Sequence, residues 1–134
     1  MYLGELNAKE KESFLDLGIG LASVDGKFSD EEKNTVRLLC DEMGIEYRYT
    51  AKVSPEEAAQ FFVTEANPRI QRIVVFELLG IAMADSIYQD CELAMITNIA
   101  KAFSINEREV TQICEAIKQL YGLYTKFSRF IDAK

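Results

Sequence analysis

The chain has 134 residues, with 15 lysines and arginines against 22 aspartates and glutamates, and it has no histidine. This length predicts one domain, residues 1–134, that can bury a core without a disulfide or a metal. The net charge of −7 would repel phosphate backbones, so we expect no nucleic acid partner. Because serine–histidine and cysteine–histidine nucleophile pairs are also excluded, we expect that the protein is not an enzyme.

The cysteine pattern and the first residues indicate where the protein works. Cys40, Cys91 and Cys114 are odd in number and unevenly spaced, and without histidine they match none of the familiar zinc patterns. A reducing compartment fits them. The first residues show no basic run followed by an apolar stretch, so we expect no secretory signal and a cytoplasmic location.

The first helix is predicted over residues 8–25, where Asn7 and Glu10 form a capping box. Small residues recur on this helix and again later in the chain, at Gly18, Gly20, Ala22 and at Gly80, Ala82, Ala84. Small side chains let two backbones approach closely. We therefore expect these two faces to lie near each other.

The second and third helices also carry clear boundary signals. Ser29 with Glu32 forms a second capping box, and the helix behind it is expected to stop at Gly44 as a left-handed cap. Ser54 followed by Pro55 begins a short third helix, since proline suits the first helical position.

The central stretch 73–85 reads IVVFELLGIAMAD, and Glu77 is the one charged residue in its first twelve positions. A helix that is apolar on nearly every side must be surrounded by other helices. It falls short of the roughly 20 apolar residues that span a membrane, so we expect no direct membrane insertion. Asn67 and Pro68 begin this fourth helix. We predict an all-α compact bundle of six to seven helices around it, with Glu77 at the bundle edge or paired with an arginine or lysine.

A fifth helix is predicted over about 90–102, and a sixth runs from a capping box at Asn106 to about residue 131, with a break expected, if anywhere, at Gly122. The apolar positions of the sixth helix recur every three or four residues, at Val110, Ile113, Cys114, Ile117, Leu120, Tyr121, Tyr124, Phe127 and Ile131. The aromatic tail of this helix consists of Tyr121, Tyr124, Phe127 and Phe130. It either belongs to the core or projects past the bundle, where it would need a partner helix, as in a homodimer.

An internal repeat appears when the chain is laid on itself at an offset of 60 residues. Asp25 then meets Asp85, and Glu32 meets Glu92, at the corners of two pseudo-symmetric helical hairpins. An aspartate at a helix C-terminus opposes the helix dipole, so something nearby must offset that charge. Either backbone N–H groups and capping bonds do so, or a weakly bound divalent cation, calcium or magnesium, does. An EF-hand is excluded, because Asp30 and Val36 stand where that loop needs glycine and glutamate.

The pattern Ala-x-x-Asp-Gly, then five residues and Glu, then an apolar helix ending near Gly-Ile, resembles the TerB-like domains of tellurite-resistance proteins. The resemblance covers roughly residues 8–120. It implies an all-helical cytoplasmic domain, an acidic site for divalent cations such as calcium, and a role in stress-response assemblies. The residues matching the acidic motif are Asp25, Glu32, Asp85 and Glu92. Ser86 stands where the second copy would have glycine.

Two functions follow from these patterns. The first is a TerB-like binding module whose acidic corners hold a divalent cation or face a basic protein partner. The second is a metal-free interaction or scaffold domain that works through its C-terminal aromatic helix. Acid–base catalysis by the carboxylate pairs ranks third, because no cofactor or nucleophile signature accompanies them. The partner protein is not identified by either hypothesis.

Overall fold

A computed structural model describes residues 1–26, 28–84 and 90–133, and the side chain of Asp90 is outside this description. The described residues form one 3-10 turn and six α-helices: Leu3–Glu5, then α1 Ala8–Ala22, α2 Asp30–Met43, α3 Pro55–Glu65, α4 Pro68–Met83, α5 Asp90–Ala102 and α6 Glu107–Asp132. They include no strand. The prediction of a compact all-helical bundle is confirmed.

The helix starts lie where the capping residues predict them. The side chains of Asn7, Ser54, Asn67 and Asn106 each accept a hydrogen bond from the backbone N–H three residues on, at 2.8, 3.1, 2.9 and 2.9 Å. Each bond satisfies one of the donors that a helix N-terminus leaves unpaired. At the C-terminal end of α2, Gly44 has a φ of 68°, the left-handed conformation that glycine adopts without strain.

α4 is the central helix, as predicted. Its buried residues are Ile70, Ile73, Val74, Val75, Leu78, Leu79, Ala82 and Met83. Such a wide buried face requires neighbours on several sides, and α1, α3, α5 and α6 all pack against it. The adjacent helices α1 and α2 pack together, as do α4 and α5, in the arrangement of two hairpins.

α1 and α4, which carry the two small-residue stretches, pack against each other, but the closest contacts at their glycines are with other helices. A Cβ atom built on Gly20 would lie 2.7 Å from Pro55 Cγ, and one built on Gly18 would lie 3.0 Å from Leu39 Cδ1. A Cβ on Gly80 would face the Tyr121 hydroxyl at 3.6 Å. The small residues therefore make room for α2, α3 and α6, and the sequence pattern alone does not name those partners.

Candidate functional site

The acidic corner between α1 and α2 is the first candidate. α1 ends at Ala22, three residues earlier than predicted, and the Ser23 hydroxyl donates a hydrogen bond to the Ile19 carbonyl at 2.7 Å. The turn that follows contains Gly26 at a φ of 84°, a conformation that favours glycine. Asp25 is exposed in this turn.

Glu32 differs from the predicted capping box. The Ser29 side chain accepts from the Glu32 N–H at 3.2 Å, as expected, and the Ser29 hydroxyl donates to Glu32 Oε1 at 3.2 Å. In a full box the glutamate would instead accept from the serine N–H, as Glu10 and Glu109 do from Asn7 and Asn106. The second carboxylate oxygen, Glu32 Oε2, is buried and has no hydrogen-bond partner among residues 1–26, 28–84 and 90–133. Burial of a carboxylate oxygen without a donor is costly, and a bound cation would offset that cost.

The second acidic corner falls mostly outside the described residues. Asp85 and Ser86 lie in the stretch 85–89, which the structure does not describe, and Glu92 is half-buried on α5. Among residues 1–26, 28–84 and 90–133, no group of three or more histidine, cysteine or carboxylate side chains is placed to hold a metal. Because Asp85 lies outside the described residues, the structure does not test whether the four predicted metal ligands come together, and a metal site built from them stays a prediction.

Glu77 has a partner that sequence reasoning missed. Its carboxylate lies 3.0 Å from the Met1 amine and accepts the Tyr2 N–H at 2.8 Å. Burial by itself would lower the pKa of the Met1 amine, but hydrogen bonds to Glu42 and Glu77 raise it. The residue lies at the edge of the bundle, as one predicted alternative required, and its cation is an α-amino group instead of a lysine or arginine.

A buried ion pair anchors the irregular segment 44–53 on α1. Asp16 lies 2.5 Å from Arg48 Nη1 and also accepts the Lys52 N–H at 2.9 Å. Arg48 donates further to the carbonyls of Thr50 and Glu12, at 2.9 and 3.3 Å. Asp16 and Arg48 are therefore bonded to each other and to the backbone around them, which indicates a structural role for this cluster.

A groove lies between α1, α3 and α5, with a volume of about 630 Å³. Its walls are mainly apolar and include Ile19, Val53 and Met95. Two of its polar side chains have partners within the chain, since Ser54 caps α3 and Gln60 donates to Thr64. A specific small-molecule site needs several convergent polar groups. This groove is therefore a weak candidate for ligand recognition.

α6 is the second candidate site, because only its first half is packed. Val110, Cys114 and Ile117 are its buried residues, and burial raises the pKa of the Cys114 thiol. Tyr121 is half-buried and its hydroxyl donates to the Gly80 carbonyl at 2.9 Å. Every described residue after Tyr121 is exposed. The helix continues unbroken through Gly122, so its last three turns project past the bundle.

The projecting part of α6 is apolar on one side. Its large exposed hydrophobic residues are Leu123, Tyr124, Phe127, Phe130 and Ile131, and the last two are 83% and 75% exposed. The single stripe predicted from sequence is therefore two faces, one that packs on the bundle and one that faces solvent. A solvent-facing aromatic stripe of this size is typical of an interaction surface.

An apolar groove continues this surface along the first half of α6. It has a volume of about 540 Å³, and Tyr2, Phe76, Ile105 and Ile113 line it. The rings of Tyr2 and Phe76 meet edge to face at 5.5 Å. Arg69 and Arg72 line its rim and pair with Glu5 and Glu109. An apolar floor with a polar rim is suited to an aromatic side chain.

None of the helices in the described ranges has the length and apolar character needed to cross a bilayer.

Comparison of the chain with protein-family models, with curated proteins and with solved structures finds no match. The TerB-like resemblance therefore stays a prediction based on the sequence motif.

Proposed function

We propose that this protein is a non-enzymatic interaction module that docks a protein partner on the solvent-facing stripe of α6. The observation that carries the proposal is the exposure of Phe127 and Phe130, at 56% and 83%. Fully burying one such side chain contributes about 1.5–3 kcal/mol. A partner that covers several of them gains enough to offset the cost of association.

The helical form of the projecting segment supports the same proposal. A free helix of three turns is marginal in water, and Gly122 costs roughly 1 kcal/mol of helix propensity relative to alanine. The segment nonetheless continues a helix that Val110 and Ile117 anchor in the bundle. A preformed helix face binds with less loss of conformational entropy than a disordered tail.

The interaction is tested with Phe127→Asp and Thr125→Asp. Both add the same charge to exposed positions two residues apart, but Thr125 lies on the opposite side of the helix from the aromatic stripe. We expect a tagged wild-type chain to retain a protein from cell extract that Thr125→Asp also retains and Phe127→Asp loses. The retained protein is then purified, and its dissociation constant should rise at least tenfold with Phe127→Asp. Equal binding by both variants would contradict the proposal.

A second proposed function is weak binding of calcium or magnesium at the corner between α1 and α2. It is supported by Glu32 Oε2, a buried carboxylate oxygen with no donor among the described residues, seven residues after Asp25 in the motif that resembles TerB-like domains. Turn carbonyls and water would complete an oxygen shell of the kind these ions prefer. This proposal includes a role in a stress-response assembly in the cytoplasm, as the resemblance implies. The free thiols of buried Cys40 and Cys114 are compatible with a reducing compartment.

Thermal unfolding with and without the cation tests this second function. At 100 times its dissociation constant, a ligand stabilises the folded state by about 2.7 kcal/mol. We expect that gain in the wild type and in Glu31→Gln, whose carboxylate is exposed in the same helical turn. Glu32→Gln should lose the gain. A wild-type midpoint that does not respond to millimolar calcium or magnesium would rule out this site.

A further inference from the structure

We infer that the occupant of the α6 stripe is a second copy of this chain, with the two α6 helices packed antiparallel. This inference rests on the proposed function and names its partner. Four features of α6 support it: the spacing of its exposed residues, their sizes, the charges of its two halves and the adjoining groove.

The exposed residues of α6 have the spacing of a coiled-coil seam. Six positions alternate at intervals of three and four: Ile113, Ala116, Leu120, Leu123, Phe127 and Phe130. Five of them are exposed and Leu120 is half-buried. At 100° per residue this seam is centred roughly 120° around the helix from the buried face. Intervals of three and four keep a seam facing a partner helix over its length, here roughly 25 Å.

Side-chain sizes favour the antiparallel arrangement. When the seam is paired with its own reverse, Ile113 lies opposite Phe130, Ala116 opposite Phe127, and Leu120 opposite Leu123 of the second copy. The smallest residue of the seam then faces a large one, which fills space without a void. A parallel pair in register would place alanine on alanine and phenylalanine on phenylalanine. That arrangement leaves a gap at one layer and crowds two others.

Charge favours the same arrangement. Residues 107–117 carry three acidic side chains and one basic, whereas residues 118–132 carry three basic and one acidic. In this register Glu115 lies opposite Ser128 of the second copy, in the stretch that carries Lys126 and Arg129, whereas Glu107 and Glu109 lie beyond the end of that helix. A parallel pair in register would instead bring Lys126 and Arg129 against the same residues of the second copy. The body of the protein, residues 1–106, has 10 basic against 18 acidic side chains.

The apolar groove lined by Tyr2, Phe76 and Ile113 can bind the C-terminal end of the partner's α6. Ile113 lines this groove, and in the antiparallel pairing Ile113 lies opposite Phe130 of the second copy. Phe130 is the most exposed large hydrophobic residue among those the structure describes. Its ring would enter the space bounded by Tyr2 and Phe76, which adds contact area beyond the two helices. An anionic lipid surface is a poorer occupant, because the acidic body would face the same membrane.

Sedimentation equilibrium tests the dimer. The chain has a mass of 15.2 kDa, so we expect the wild type and Thr125→Asp to have twice that mass at micromolar concentration. Phe127→Asp should raise the dimer dissociation constant at least tenfold. A wild type that is monomeric throughout would overturn the inference, as would a dimer that Phe127→Asp leaves intact. Binding of the monomer to vesicles of anionic phospholipid would identify a membrane as the occupant instead.

Disulfide trapping tests the orientation. Chains carrying Ile113→Cys and chains carrying Phe130→Cys are mixed and oxidised with glutathione disulfide, with the wild type as the control for native cysteines. Antiparallel helices should give the mixed disulfide, because like positions are then roughly 25 Å apart and cannot be bridged. Bonds between identical chains would show a parallel pair and overturn the orientation. If the wild type is monomeric but a purified protein still binds through Phe127, the proposed function stands and the second copy does not.

Discussion

Replacement of Asp16 by alanine is expected to lower the free energy of unfolding by about 3–5 kcal/mol. The Asp16 side chain is 5% exposed, and it bonds to both Arg48 and the Lys52 N–H. Its removal leaves the Arg48 guanidinium, itself only 16% exposed, without its closest carboxylate. The unpaired buried charge, and not the lost contact alone, accounts for the size of the effect.

Glu12→Ala is the matched control for this prediction. Glu12 pairs with the same two residues, at 3.5 Å to Arg48 and 3.2 Å to Lys52, but its side chain is 39% exposed. Exposed pairs contribute roughly 0–1 kcal/mol, so Glu12→Ala should stay within that range. Urea unfolding followed by circular dichroism measures both variants. Similar losses for the two would mean that the burial of Asp16 has no special role.

The helix boundaries could be predicted because their causes are local. Asn67 accepts a bond from a residue three positions away, and Gly44 adopts the left-handed conformation where its helix must stop. Asp16 and Arg48 are 32 residues apart, and Glu77 lies 75 residues from its Tyr2 donor. No periodicity marks such pairs. They depend on how the helices pack, which is decided by the whole fold.

In the candidate sites, too, the local pattern is visible in the sequence, whereas the packing is not. The acidic pattern of Asp25 and Glu32 is visible in the sequence. Whether Glu32 accepts the Ser29 N–H and closes the capping box depends on the placement of its side chain, which only the structure shows. On α6 the sequence shows apolar spacing over the whole helix. Only the fold shows that Ile117 faces the bundle while Phe127 faces solvent. The solvent-facing residues of α6 recur at intervals of three and four, but in the sequence they are mixed with the buried residues and read as one stripe.

Phe62→Ala is expected to lower the free energy of unfolding by about 3–5 kcal/mol, the range for removing a fully buried aromatic side chain. Phe62 has no exposed surface. Its ring meets those of Phe61 and Phe103 edge to face, at 5.4 and 6.3 Å. Phe103 directly follows α5, so the contact joins α3 to the connection that leads into α6.

Val63→Ala is the control for the effect that truncating a side chain to alanine has on α3 itself, including the change in helix propensity. Val63 is the next residue and is 38% exposed, so its replacement should change stability by less than about 1 kcal/mol. Chemical denaturation gives the two free energies, and hydrogen exchange of α6 amides shows where the loss acts. Because Phe103 packs on Phe62 just before α6 begins, exchange should speed up in the first turns of α6 with Phe62→Ala and not with Val63→Ala. Unchanged exchange there, together with a loss below 1 kcal/mol, would show that α6 is positioned without this aromatic contact.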